Sequence, residues 1–255
     1  MSPTVIGVAV FACAFGGALL GMALRRALPA HHLDEASKDT IKIGVGLVAT
    51  MTALLLGLVT ASAKSSFDDV DAAVKTSAAE VLALDRALAR YGPETADIRL
   101  GLKQAVATRI GVVESSGTTR PQDLDPMSTG SGAETERLTE AIRSLKPRDD
   151  VQRSLQSRAL DLAETMLQVR WMVFASGGSP VPVPFLVIIV FWLTVTFMSF
   201  GLFAPTHLTV ITVLLVCAAS VASALFLVIE LGAPFDGLIR VSLDPLRYAL
   251  AHMNR

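Results

Sequence analysis

FWLTVTFMSFGLFAPTHLTVITVLLVCAASVASALFLVIEL, residues 191–231, contains two apolar runs separated by the turn Ala204-Pro205-Thr206. No Lys, Arg or Asp interrupts either run, and the one acid, Glu230, stands at the far end. With the residues before it, this stretch gives two blocks, Phe185–Phe203 and Leu208–Ile229. Each has about the 20 residues needed to cross a hydrocarbon core of roughly 30 Å as a helix. A connection this short forces the two into an antiparallel hairpin.

Two further blocks precede it, Val5–Leu24 and Ile43–Ala63. The first has no basic residue before it and stops at Arg25-Arg26, so it reads as a span rather than a secretory leader. The expected fold is therefore all-α: a polytopic membrane protein with four transmembrane helices and an inserted soluble helical bundle. The boundaries expected are 1–63 for the N-terminal two-helix membrane segment, 64–180 for the soluble domain, 181–231 for the C-terminal hairpin and 232–255 for an amphipathic tail. An even number of crossings puts both chain ends and the soluble domain on one side.

Composition narrows the function classes. The formal charge is -1, which provides no footprint for nucleic acid. Cys13 and Cys217 both lie inside apolar blocks and read as small buried packing residues, not a disulfide or metal pair. Gly17 and Gly21 form a small-xxx-small pair that lets another helix approach closely. The competing reading is simply that glycine is common in membrane helices. Block two carries Thr50, Thr52, Thr60 and Ser62, whose hydroxyls can return to the helix backbone or line a pore. In the link 25–42, His31-His32 beside Asp34 and Glu35 has metal-ligand chemistry. Adjacent loop histidines do not by themselves define a cage, and they read as solvated. No metal site and no cofactor is expected.

The central region has helical periodicity throughout. Val70, Val74, Ser77, Val81, Leu84, Leu88 and Tyr91 follow alternating steps of four and three, which makes one apolar seam on one face. Gly92-Pro93 ends that helix. Ile98, Leu102, Val106, Ile110 and Val113 mark a second helix, and 115–132 is a polar loop. Helices resume near Ala133–Lys146 and after Pro147, the latter with Val151, Leu155, Ala159, Leu162, Met166 and Val169 on one face. The seam is expected to pack against this last helix. Residues 64–180 hold 15 Lys/Arg against 17 Asp/Glu, so the domain is mildly acidic.

After the fourth span the chain turns through Gly232 and Pro234. Candidate functional or structural residues here are Glu230, Pro234, Phe235, Asp236, Gly237, Arg240 and Ser242. A carboxylate at a span end is far cheaper than one at mid-membrane. The expected arrangement pairs Glu230 with Arg240 or Arg247. It lays Phe235, Leu238, Ile239 and Leu243 in the membrane interface with Asp236 and Arg240 facing water. Two rival readings make Glu230 and Asp236 part of an ion path, or the tail a partner surface.

Residues 191–250 resemble the DUF4239 family, the bestrophin-like membrane proteins of unknown function. The matching elements are Phe200–Pro205 (FGLFAP), Phe226–Leu231 (FL-x-x-EL) and Pro234–Ser242 (PF-x-GLI-x-VS). The N-terminal half shares the family's order of span, polar link, span and charged helix. Between the Glu-Leu and Pro-Phe elements the family usually has a basic residue, where this chain has Gly232-Ala233. The resemblance implies a membrane protein with a soluble helical insertion and no assignable activity.

No HExxH, GxSxG, P-loop or CxxC pattern occurs, so an enzyme is not expected. The leading expectation is an oligomeric membrane scaffold or sensor, with a homo-oligomer and the lipid bilayer as partners. The alternative is a bestrophin-like ion channel or transport protein, its ion unknown, whose pore would need several subunits around an axis. The expected location is the cell inner membrane. Basic residues near span ends number about four on the link side (Arg25, Arg26, Lys38, Lys42) against five opposite (Lys64, Lys75, Arg170, Arg240, Arg247). This spread and the bestrophin-like arrangement lean to a cytoplasmic soluble domain, while the Arg25-Arg26 pair leans the other way.

Overall fold

The computed structural model describes residues 3–27, 35–115, 131–176, 182–235 and 237–253. Among them the helices run in the order α1 (Pro3–Ala27), α2 (Glu35–Tyr91), a 3-10 turn (Pro93–Thr95), α3 (Ala96–Ser115), α4 (Ser131–Arg143), α5 (Asp150–Ser176), α6 (Val183–Phe203), α7 (Leu208–Leu231) and α8 (Asp244–His252). The described residues contain no strand. Four of these helices are long and apolar enough to cross a membrane: α1, α2, α6 and α7.

The second span runs on into the soluble region: the polarity changes after Ala63, and α2 continues through it as one helix of 57 residues. No glycine or proline lies between Gly57 and Gly92, so nothing ends the helix where its composition changes. At 1.5 Å per residue it is about 85 Å long. Only its apolar part, 43–63, matches a bilayer core.

Gly92 finally stops α2. Its φ of 141° is open to glycine and costly for other residues. Buried Thr95 donates its hydroxyl to the Leu88 carbonyl at 2.6 Å and lies 2.8 Å from the Gly92 carbonyl. Gln152 of α5 reaches the Tyr91 carbonyl at 2.9 Å. These donors satisfy carbonyls that a helix end otherwise leaves bare.

The chain divides into two compact units: Met1–Ser65 with Ser179–Gly232, and Ser66–Gly178 with Ala233–Arg255. In the first, α1 packs against both α6 and α7. Ala14, Ala18 and Met22 meet Phe197, Leu214 and Ala218 in one cluster. Val10 joins Val59 and Ala63 of α2 with Ile189, Leu193 and Leu225 in another. Large apolar side chains also point outward, Val8, Phe191, Leu208 and Val216 among them, as a surface that meets lipid requires.

In the second unit the seam is realised: Val70, Val74, Val81, Leu84, Leu88 and Tyr91 are all buried. All but Tyr91 share a core with Leu102, Val106 and Ile110 of α3, Ile142 of α4 and Ala159 and Leu162 of α5, with Met166 packed against it. Val151, expected on the inner face of α5, is exposed in that helix's first turn. Gln156 donates to the carbonyls of Ile142 and Leu145 at 2.9 and 3.0 Å and so ties the end of α4 to α5.

The tail differs from the interfacial helix expected of it. Val241, Leu246, Ala249 and Met253 are buried in the second unit's core, and Phe235, Leu243 and Leu250 pack against it. The apolar residues of 233–253 have a protein core to enter, which removes the reason to lie in a membrane interface. Leu238 and Tyr248 are exceptions, at 83% and 62% exposure.

Candidate functional site

Three places in the structure hold residues that the sequence marks or that their surroundings make notable. The first is the crossing of α1 and α6. These helices run parallel, with Gly17 beside Thr194 and Gly21 beside Met198 and Leu202. A Cβ on Gly17 would come 2.8 Å from the Thr194 carbonyl oxygen. One on Gly21 would overlap the Met198 carbonyl oxygen and lie 2.8 Å from the Leu202 amide nitrogen. From the other side, a Cβ on Gly201 would overlap the Ala18 carbonyl oxygen. The small-xxx-small pair is thus used within the chain, backbone against backbone. Gly201, inside FGLFAP, is its counterpart on α6. At the same end of this unit the Arg25 guanidinium donates to the Ala204 carbonyl.

Eight hydroxyls of the spans bond to their own helices. Thr50, Thr52 and Thr60 donate to carbonyls four residues back at 2.7–2.9 Å, as do Thr194 and Thr196 of α6. Thr212, Ser220 and Ser223 of α7 do the same at 2.8–3.0 Å. Of the two readings weighed for block two, return to the backbone is the one observed for Thr50, Thr52 and Thr60.

The second place follows the fourth span. Glu230 is 2% exposed in the last turn of α7. There the helix dipole opposes a carboxylate, and burial adds a desolvation cost. Glu230 is not without a partner. Inside the second unit the two candidate arginines make bonds of their own. Arg240 donates to the Gly237 carbonyl at 2.7 Å. Arg247 grips Glu114 of α3 through two nitrogens at 3.1 and 2.7 Å and Asp244 at 2.9 Å.

The segment closes on itself: the Val241 amide donates to the Pro234 carbonyl at 2.8 Å. Gly237 has φ of 91°, a left-handed conformation suited to glycine. Ser242 accepts the Asp244 amide at 3.1 Å at the start of α8. The Ser242 hydroxyl, and then Arg247, hold the Asp244 carboxyl below its usual range. Asp236 lies outside the described residues, as do His31, His32 and Asp34 of the link. Among the described residues no three His, Cys, Asp or Glu side chains form a possible metal cluster.

The third place was not marked by sequence. A cleft of about 420 Å³ opens in the second unit between α2, α3, α4, α5 and α8. Its α3 wall is one helical face: Ile98, Gly101, Leu102, Ala105, Val106 and Arg109. Nothing lies within 4 Å of where a Gly101 Cβ would be, so this face opens onto free space. Arg137 and Leu138 of α4 and Met166 of α5 stand opposite or beside it.

Two acids nearby, one buried and one half-buried, were also missed. Asp85 is fully buried and takes a two-pronged grip from Arg99, at 2.8 and 3.1 Å. The geometry suits the planar guanidinium and satisfies a charge that would otherwise be costly to bury. One carboxylate oxygen of Glu80 is buried without a hydrogen-bond partner, and burial pushes its pKa up. The spacing of the seam, which leaves Glu80 and Asp85 beside apolar neighbours on the same helix, is the only sequence signal for either.

A family model described as Bestrophin-like domain matches residues 12–246. No curated protein and no solved structure matches.

Proposed function

The chain belongs to the Bestrophin-like family, and from that premise we propose a non-enzymatic, oligomeric membrane protein that works as a scaffold or sensor through its helical bundle. The observation that carries this reading is α2. One unbroken helix supplies both a span and the central seam of the soluble core. A change in how the bundle packs therefore acts on a helix that continues into the bilayer.

The same helix supports self-association. Of its most apolar window only 11% is buried, against 33% for α1 and for α6. Ile43, Leu47, Met51, Leu54 and Leu58 form an exposed stripe with helical spacing. That stripe is the surface offered to a second copy, with lipid filling the remainder. The soluble unit and both chain ends are assigned to the cytoplasmic side of the inner membrane, on the spread of basic residues over three span boundaries.

The test is disulfide trapping in native membranes. Leu47→Cys and Leu54→Cys are made in a chain lacking Cys13 and Cys217. Both should give cross-linked dimers on mild oxidation, and Thr52→Cys, on the buried face, should not. A single-subunit mass in nanodiscs would refute the assembly. An ion-selective conductance from the purified protein in planar bilayers would replace the scaffold reading with the channel one.

A further inference from the structure

We propose that the cleft of the second unit is a binding site for a single-chain amphiphilic carboxylate, a fatty-acid-like anion. This gives the sensing reading its ligand, and rests on that reading for its consequence in the membrane.

The volume, about 420 Å³, is within the range of roughly 300–1,000 Å³ typical of small-ligand pockets. It suits one acyl chain and is too small for a two-chain lipid. Its floor is apolar and deep: Val81, Leu102 and Val106 are all buried. Its open side exists because α3 places Gly101 and Ala105 where its other inward positions carry larger side chains. A groove with such walls holds water poorly and an alkyl chain well.

The polar groups are few and biased in sign. Arg109 and Arg137 line the cleft, against one carboxylate, Asp97. Asp97 lies in the first turn of α3, and Arg109 is three turns further on, about 18 Å along the axis. The carboxylate is thus at the far end of that wall, and the exposed Arg137 at the edge of the cleft is the guanidinium offered to the head. An anionic head met by guanidinium, with its chain laid over Gly101 and Ala105, uses both features of the site. A cation or a neutral alkane would use only one.

The experiment uses the full chain in zwitterionic nanodiscs and a ten-carbon carboxylate carrying a photoactivated diazirine. Cross-linked peptides are mapped by mass spectrometry, which separates cleft labelling from labelling of the spans. The expected result is saturable labelling in 98–109 or 137–141, displaced by decanoate and not by decyltrimethylammonium. Arg137→Ala should weaken displacement about tenfold, the loss of one charge-assisted contact. Gly101→Leu should abolish labelling with the protein still folded, since the new side chain enters open space and leucine favours a helix over glycine.

Labelling confined to the spans, equal displacement by the cation, or undiminished labelling in Gly101→Leu would each overturn the proposal. The sensing reading fails separately. If the cleft is labelled as expected but decanoate leaves the Leu47→Cys cross-linking yield unchanged, the site stands and its coupling to the membrane does not.

Discussion

Replacing Gly21 with alanine should destabilise the first unit, although alanine is the better helix former. The structure sets the size of the effect. Ordinary contact begins near 3.4 Å, and the new Cβ would start 2.8 Å from the Leu202 amide nitrogen, with the Met198 carbonyl oxygen nearer still. Both are backbone atoms, so no rotamer change relieves the clash. The α1 and α6 helices must move apart by at least about 0.6 Å, the difference of those two distances, and more for the oxygen. Overpacking of this kind costs about 1–3 kcal/mol, and widening also weakens contacts along the whole crossing. Gly201→Ala meets the backbone of Ala18 from the other helix and should cost the same. Gly17→Ala, 2.8 Å from one oxygen and 3.1 Å from a Thr194 methyl, should cost less. Gly16→Ala is the internal control: nothing lies within 4 Å, so it should be neutral or stabilising by up to about 1 kcal/mol. Thermal unfolding in nanodiscs would rank the four, with roughly 2–4 °C expected per kcal/mol. If Gly21→Ala and Gly16→Ala unfold together, the close crossing of α1 and α6 is refuted.

Leu84→Asp should abolish amide protection in 66–91 and in α5, because a charge at a fully buried seam position finds no partner there; protection equal to the parent chain would contradict the seam. Glu80→Gln should raise the melting temperature at pH 8 and give no gain at pH 4. A carboxyl whose folded pKa is raised loses stability as pH rises from the unfolded pKa through the folded one, so a gain at pH 4 equal to that at pH 8 would reject the burial of this carboxyl. For sidedness, a cysteine at Ala36 should react with an impermeant thiol reagent in intact cells and one at Ser128 should not, in a chain lacking Cys13 and Cys217; the reverse pattern places the soluble unit outside.

Much of the fold was legible because helices announce their partners by period. The Val70–Tyr91 seam needs only a 3.6-residue repeat to be found, and each of its apolar members is buried. The four spans are legible from length and hydropathy alone. The continuity of α2 was legible too, but in a different signal. Polarity changes at Ala63, whereas the backbone is governed by breakers, and none occurs before Gly92. The tail could not be read in the same way. Leu243, Leu246 and Leu250 have one amphipathic face, and such a face suits a bilayer interface or a protein core equally. Which one it meets depends on α3, far away in sequence, through contacts such as Arg247 with Glu114. The cleft is less legible still, since five helices must assemble before its walls exist.

The segments that carry the family resemblance turn out to have packing and turn-forming work. In FGLFAP, Gly201 admits the backbone of Ala18, and Ala204 accepts the Arg25 guanidinium through its carbonyl. In PF-x-GLI-x-VS, Pro234 and Val241 close the loop, Gly237 takes the left-handed turn, and Ser242 receives the first amide of α8. Phe235 and Val241 enter the core. These positions serve the fold mainly through backbone groups, with Phe235, Val241 and Ser242 adding their side chains. On the proposed reading, ligand recognition falls to surfaces built elsewhere. The cleft is such a surface: apart from Leu246, its lining comes from α2 to α5, outside the 191–250 stretch. Substituting Ser242 should therefore alter stability and leave probe labelling of the cleft at the parent level once folding is matched. Substituting Arg137 should do the opposite.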